Sequence, residues 1–129
     1  MGHLTAAYAA VLALMFVGLS VRALLLRRRL GVGVGDGGDV ALAKALRAHA
    51  NFAEYTPLAV FLIYLLETLA SGETMVHVYG SVLVLGRAVH AYGVSRVLED
   101  YRFRVFGMAC TFVVLVGTSL RLLVASVVA

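Results

Sequence analysis

Four long apolar segments constrain this chain more than any other feature. A helix of about 20 residues crosses the roughly 30 Å hydrocarbon layer of a membrane, and the candidates are Leu4–Leu26, Pro57–Ala70, Met75–Tyr92 and Val105–Val128. The second segment is too short alone, so we predict that its helix begins upstream, around Val40. A hydrophobic content of 62% and a mean hydropathy of +0.96 exceed what a soluble core of this size needs. The sequence predicts an all-α transmembrane bundle of four helices.

The order of these segments predicts a left-handed up-down-up-down arrangement in one domain, residues 1–129. Basic residues predict its orientation, because lysine and arginine concentrate in cytoplasmic connections. They lie around the first connection (Arg27, Arg28, Arg29, Lys44, Arg47) and the third (Arg96, Arg102, Arg104). Both basic connections should therefore face the cytoplasm, with both termini and the Ser71–Glu73 turn on the opposite side. The first apolar run lacks the basic flank and cleavage site of a signal peptide and is predicted to be a retained helix.

Composition narrows the function further. The net charge of +4 does not indicate a nucleic-acid partner, because the positive charges lie in short clusters between apolar runs rather than along one soluble face. The single cysteine, Cys110, excludes an intrachain disulfide, and no metal site is expected. The glycine-rich stretch 31–39 has no strand before it, so we interpret it as a flexible connector rather than a dinucleotide loop, with Asp39 as the N-cap of the second helix.

Charged and polar residues interrupt the second and third helices. Arg47, Asn51 and Glu54 are spaced by four and three and share one helix face, as do Arg87 and His90. An ionised side chain inside a membrane costs about 3 kcal/mol on insertion scales, so such groups are expected to have partners. The simplest pairing joins Glu54 to Arg87 or to Arg47. The alternative is that these pairs only hold helices together or extend to the interface.

Ten polar side chains are predicted to lie in the same leaflet of the membrane. Their number and positive charge favour one pocket for an anionic ligand of peptide size. The carboxylates of such a ligand would accept hydrogen bonds from arginine. The ten side chains are Arg47, His49, Asn51, Glu54, Tyr55, Arg87, His90, Tyr92, Arg102 and Arg104. Other polar residues receive simpler interpretations. Arg22 and Arg121 are expected to extend to the membrane interfaces, and Glu67 and His77 to be solvated. Gly107 and Gly117 are expected to let helices approach closely.

Three stretches of the chain resemble a known family. The run from Arg47 to Leu58 (RAHANFAEYTPL), the run from Gly86 to Gly93 (GRAVHAYG) and RVFGM at 104–108 resemble signature segments of the MAPEG family, the membrane-associated proteins in eicosanoid and glutathione metabolism. The resemblance covers nearly the whole chain and is strongest to bacterial members. It implies a homotrimer that binds glutathione between adjacent subunits.

The same resemblance implies roles for individual residues. The glutathione-binding positions would be Arg47, Asn51, Glu54, Tyr55, Arg87 and His90. The catalytic arginine that stabilises the glutathione thiolate would be Arg104 or Arg102, and the spacing to Gly107 favours Arg104. The chain departs from the family at Val94, where related enzymes often have tyrosine.

The implied function is that of a membrane-bound, glutathione-dependent transferase or peroxidase in detoxification, which attacks lipophilic electrophiles or hydroperoxides that arrive from membrane lipid. The expected location is the bacterial inner membrane. The Val94 departure motivates an alternative, a non-catalytic sensor or scaffold that binds glutathione or another anion. A transporter is a weaker alternative, because a path across the membrane needs polar residues through the whole span and here they crowd one leaflet.

Overall fold

The described chain consists of four α-helices. The computed structural model describes residues 2–69, 72–96, 98 and 100–128. The helices are α1 (His3–Leu30), α2 (Val40–Leu69), α3 (Glu73–Ser95) and α4 (Tyr101–Val128). The all-helical prediction is confirmed, and α2 begins at Val40 and continues through Pro57 as one helix. Ala70 and Ser71, which the sequence predicts to end the second span and to begin the turn, lie outside the described residues.

Three of the helices, α1, α2 and α4, are long and apolar enough to cross a membrane. Helix α3 has 23 residues and is about 35 Å long, which also suffices, but it is less apolar. Its polar residues Arg87 and His90 are buried inside the bundle. A helix with such residues can cross the membrane because they do not face lipid. The third predicted span, α3, is therefore a helix whose polar residues Arg87 and His90 point inward.

Helices α2 and α3 form the centre of the bundle. Both α1 and α4 pack against this central pair, and no contact joins α1 to α4 within the described ranges. The apolar core includes Leu12, Phe52, Ile63, Leu83 and Val114. The outer faces of all four helices expose large apolar side chains, which is the surface that lipid requires.

Helices α3 and α4 approach most closely where two glycines face each other. A Cβ added to Gly86 would lie 2.5 Å from Cβ of Cys110, and one added to Gly107 would lie 2.5 Å from the carbonyl oxygen of Gly86. The sequence-based expectation that Gly107 lets two helices approach closely is confirmed. A Cβ on Gly117 would likewise lie 2.7 Å from the Tyr79 hydroxyl, so this glycine also permits close approach.

The first connection makes hydrogen bonds with the end of α1 and with the start of α2. Gly31 ends α1 in the left-handed conformation at φ 67°, which favours glycine. Nη1 of Arg27 donates to the carbonyls of Gly33 at 3.3 Å and Gly35 at 2.8 Å. Asp39 caps α2, because its Oδ1 accepts from the backbone N–H of Leu42 at 2.8 Å, as predicted.

At the other end of the bundle His77 is exposed, as predicted, whereas the prediction that Glu67 is merely solvated is wrong. The Glu67 carboxylate on α2 accepts from the backbone N–H of Leu4 at 3.3 Å and from the N–H and hydroxyl of Thr5 at 2.8 and 2.5 Å. Gly2, at the start of α1, has no side chain with which to cap that helix, so Glu67 supplies the cap from another helix. Nδ1 of His77 lies 2.8 Å from the Tyr8 hydroxyl.

The Glu67→Gln variant is expected to unfold at a lower temperature than the wild type. A neutral amide interacts less favourably with a helix N-terminus and offers one acceptor oxygen where the carboxylate offers two. Loss of a cap costs about 1 kcal/mol in soluble proteins, which corresponds to a few degrees in Tm. Thermal unfolding in detergent measures the shift. Glu73 is exposed in the first turn of α3, so Glu73→Gln measures the loss of charge at a helix N-terminus without the cap. An equal shift in both variants would argue against the cap.

Candidate functional site

A buried arginine organises the polar centre of the bundle. Arg87 on α3 has no solvent-exposed surface. Its Nη2 donates to Oδ1 of Asn51 on α2 at 2.6 Å and lies 3.4 Å from Nδ1 of His90. Its Nη1 donates to the Thr111 hydroxyl on α4 at 3.3 Å. One guanidinium therefore connects the three helices that surround the site.

The surroundings of Arg87 are otherwise apolar or weakly polar. The guanidinium carbon lies 5.4 Å from the centre of the Phe52 ring, at cation–π distance, and Nη1 lies 3.7 Å from the sulfur of Met108. Nε of Arg87 is buried and makes no hydrogen bond within the described part of the chain. The charge is thus shared between neutral acceptors and an aromatic face, without a carboxylate among these contacts.

Arg87 also determines how its two neighbours present their polar atoms. An arginine N–H can only donate, so the atoms that face it must be the oxygen of the Asn51 amide and an unprotonated nitrogen of His90. The Asn51 amide group NH₂ then points away from Arg87 as a donor. With Nδ1 as the acceptor, a neutral His90 ring carries its proton on Nε2. Both side chains therefore turn hydrogen-bond donors away from the buried charge.

Asn51 and His90 line an open cleft beside α4. The cleft has a volume of about 530 Å³, within the range of small-molecule sites, about 300–1,000 Å³. Arg104 and Tyr101 line it at the end predicted to be cytoplasmic, and the Arg104 guanidinium lies 5.8 Å from the Tyr101 ring. The remaining lining residues are Val105, Met108, Ala109 and Phe112. The cleft therefore has a polar end with a cation and an apolar wall.

The other predicted site residues do not line this cleft. Tyr55 is half-buried, and its ring packs edge-on at 5.8 Å against Phe112, which lines the cleft. Arg47 and Glu54 form an ion pair at 3.6 Å with side chains 57% and 49% exposed. Arg102 is exposed and does not line the cleft. Of the two predicted pairings of Glu54, the one with Arg47 is therefore present, whereas Arg87 binds Asn51.

Sequence reasoning did not identify Thr111 or Phe52 as neighbours of Arg87. Thr111 follows Gly107 by four residues, which places both on the α4 face that meets α3. The Thr111 hydroxyl also donates to the carbonyl of Gly107 at 2.9 Å. This spacing could have predicted the contact, because a hydroxyl residue one turn from a close-packed glycine faces the same neighbouring helix. The contact of Phe52 with Arg87 carries no comparable signal in the sequence.

Comparison with known proteins agrees with the architecture. The sequence matches the MAPEG family over residues 5–124. The chain belongs to the MAPEG family. It is similar to inner membrane protein YecN of Escherichia coli K12, with 38% identity over 108 residues that cover 84% of this chain and 81% of the relative. The protein of the same name from Escherichia coli O6:H1 shows the same identity and coverage.

The family match covers all four helices, because it runs from the first turns of α1 into the last turns of α4. The MAPEG chain is an integral membrane protein, and three helices of its described residues are long and apolar enough to span. The relatives are named for the inner membrane, and the predicted location is confirmed.

Proposed function

We propose that this MAPEG chain is a glutathione-dependent transferase or peroxidase that acts on lipophilic electrophiles or hydroperoxides. The observation that carries the proposal is the cleft where Arg104, Asn51 and His90 meet over the buried Arg87. The cleft offers a cation and two oriented polar groups beside an apolar wall. A bound glutathione would supply the nucleophilic sulfur.

The donor set of the cleft suits an anionic peptide. Arginine donates to carboxylates in a fork, and the amide N–H groups of Asn51 can donate further hydrogen bonds to an anionic ligand. The Arg87 contacts hold Asn51 and His90 in fixed orientations, so that little side-chain entropy is lost when a ligand binds. In this proposal Asn51 and His90 bind the peptide, and Arg87 acts through them as a positioning residue.

Arg104 is the residue that we propose to stabilise the thiolate. A positive charge beside a thiol favours its ionised form, because the thiolate gains the Coulombic attraction and the thiol does not. Arg104 lines the cleft and its guanidinium is close to the Tyr101 ring. Arg102 is exposed to solvent, where screening would weaken its effect on the ligand.

The apolar wall of the cleft supports the arrival of a second substrate from lipid. Val105, Ala109 and Phe112 are spaced by four and three along α4 and lie on one face. All three line the cleft and are exposed on the outer surface of the bundle. A lipophilic electrophile could therefore enter sideways from the bilayer and reach the sulfur without crossing water.

The exposed ion pair supports a homotrimer with shared sites. The side chains of Arg47 and Glu54 are about half exposed, and the part of α2 that follows them is apolar. Charged side chains exposed near lipid carry a cost in free energy. A neighbouring protomer that covers this pair would reduce that cost. In the proposed assembly Arg47, Glu54 and Tyr55 complete the glutathione site together with the cleft.

The proposal is tested by purifying the protein in detergent and measuring two properties. Calorimetry measures glutathione binding, and turnover is measured with a reactive aryl halide and with a lipid hydroperoxide. Binding together with turnover is the expected result. Binding without turnover across a broad panel of electrophiles would favour the non-catalytic sensor or scaffold. Absence of binding would overturn both functions.

A further inference from the structure

A second groove lies on α1, away from the cleft. It has a volume of about 430 Å³ and is lined by Arg22 and Arg29 together with apolar and small residues. These are Gly18, Val21, Leu25, Leu26 and Ala41. No carboxylate of the described residues lines it. The groove is thus a mainly apolar furrow with two cations, close to the basic end of the bundle.

The charge of Arg22 is not neutralised within the described chain. Arg22 is half-buried, and its Nη1 donates to the Ser95 hydroxyl on α3. A hydroxyl is neutral, so it satisfies one donor and leaves the positive charge without a counter-ion. A guanidinium has five N–H donors, and most of those on Arg22 remain for another partner. An arginine at this depth in a membrane usually has an anionic partner or access to water.

Three consecutive arginines at the end of α1 have different surroundings. Arg27 donates to the carbonyls of the glycine connector. Arg29 lines the groove, whereas Arg28 is exposed and does not. Arg22 and Arg29 are seven residues apart, two helical turns or about 10.5 Å, so their long side chains could reach one group between them.

The position of the groove in the membrane indicates which kind of anion could bind Arg22 and Arg29. Basic connections face the cytoplasm, so Arg29 lies near the headgroups of the inner leaflet and Arg22 lies about two turns deeper. Val21 and Leu25 are exposed on the same stretch of α1 and present an apolar surface at the depth of acyl chains. A ligand that matches both features carries a phosphate and a hydrocarbon chain.

We propose that this groove is a binding site for one anionic phospholipid of the inner leaflet. Arg22 and Arg29 bind the phosphate, and the apolar stretch of α1 holds the upper part of an acyl chain. The site is distinct from the glutathione cleft, which lies between α2, α3 and α4.

Native mass spectrometry of the detergent-solubilised protein tests the site. Phosphatidylglycerol and phosphatidylcholine with identical acyl chains are the probes. The wild type is expected to bind phosphatidylglycerol more tightly. Arg22→Gln and Arg29→Gln are each expected to weaken that binding about tenfold, the loss expected for one charge-assisted hydrogen bond. Arg28→Gln is the matched control, because it removes the same charge from the same segment, and its effect is expected to stay below about twofold.

Three results would overturn the proposal. Equal losses in Arg28→Gln and Arg22→Gln would indicate general attraction to the membrane surface. Unchanged phosphatidylglycerol affinity in both groove variants would exclude the site. Displacement of the lipid by millimolar inorganic phosphate would indicate an anion site without lipid selectivity. If Arg22→Gln does not fold, Arg22→Lys and Arg29→Gln are compared with Arg28→Gln instead. Both groove variants must then weaken phosphatidylglycerol binding.

Discussion

The Arg104→Ala variant is expected to conjugate glutathione roughly 20- to 30-fold more slowly than the wild type at pH 7 and to recover at high pH. A free cysteine thiol has a pKa of about 8.5, so only about 3% of it is thiolate at pH 7. If Arg104 lowers the pKa of bound glutathione to about 6.5, roughly three-quarters is thiolate. The rate difference should follow the ratio of these two fractions.

The pH profile distinguishes this role from loss of structure. Above about pH 8.5 most of the thiol ionises without help, so the rate of Arg104→Ala should approach that of the wild type, whereas a misfolded variant stays slow at every pH. The measurement is kcat from pH 6 to 9.5 at saturating glutathione. Arg121→Ala is the control, because it makes the same change on the exposed far end of α4.

Arg102→Ala separates the two arginines that the sequence leaves as candidates. Arg102 is exposed and lies outside the cleft, whereas Arg104 lines it. The expected loss of rate for Arg102→Ala is therefore much smaller. A large, pH-dependent loss in Arg102→Ala alone would transfer the catalytic role to Arg102. Full turnover in both variants would show that neither arginine stabilises the thiolate.

The Gly107→Ala variant is expected to lose stability and, with it, the cleft. The added Cβ would lie 2.5 Å from the carbonyl oxygen of Gly86 and 2.8 Å from the backbone nitrogen of His90. Backbone atoms can yield only if α3 and α4 move apart. Overpacking of this kind costs about 1–3 kcal/mol in soluble cores. The same movement would separate Arg87 from Thr111 and move His90 away from the α4 side of the cleft, so weaker glutathione binding is expected as well.

Thermal unfolding in detergent and calorimetric titration with glutathione measure the two effects. Gly18→Ala is the matched control, because Gly18 lies in α1 with no atom within 4 Å of an added Cβ. That control is expected to be as stable as the wild type, or more stable, because alanine favours helix. Equal unfolding temperatures for Gly107→Ala and the wild type would show that the two helices are not held at this distance.

Much of the fold follows from the sequence because lipid leaves few alternatives. Backbone groups in a bilayer must be satisfied within each segment, so an apolar run of sufficient length is a helix. The start of α2 at Val40 and the cap by Asp39 follow from local rules that need no knowledge of other helices. The glycines at 107 and 117 are predictable for the same reason, because small residues in such helices permit close packing.

The partners of the polar residues do not follow from the sequence. Helical periodicity places Arg47, Asn51 and Glu54 on one face, but it contains no information about which neighbouring helix meets which part of that face. The structure pairs Arg47 with Glu54 at the surface and Asn51 with Arg87 inside. The rotation of each helix about its axis decides this, and it depends on packing across the whole α2–α3 interface.

The amino-acid sequence by itself determined the helices, their approximate ends and the MAPEG resemblance, because these depend on composition and spacing within single segments. Only the tertiary structure decided that Glu67 caps a helix more than 60 residues away, that Arg87 shares its charge among neutral groups, and that Arg104 rather than Arg102 lines the cleft. Each of these depends on the relative shift and rotation of packed helices, a property of the assembled bundle that no single segment contains.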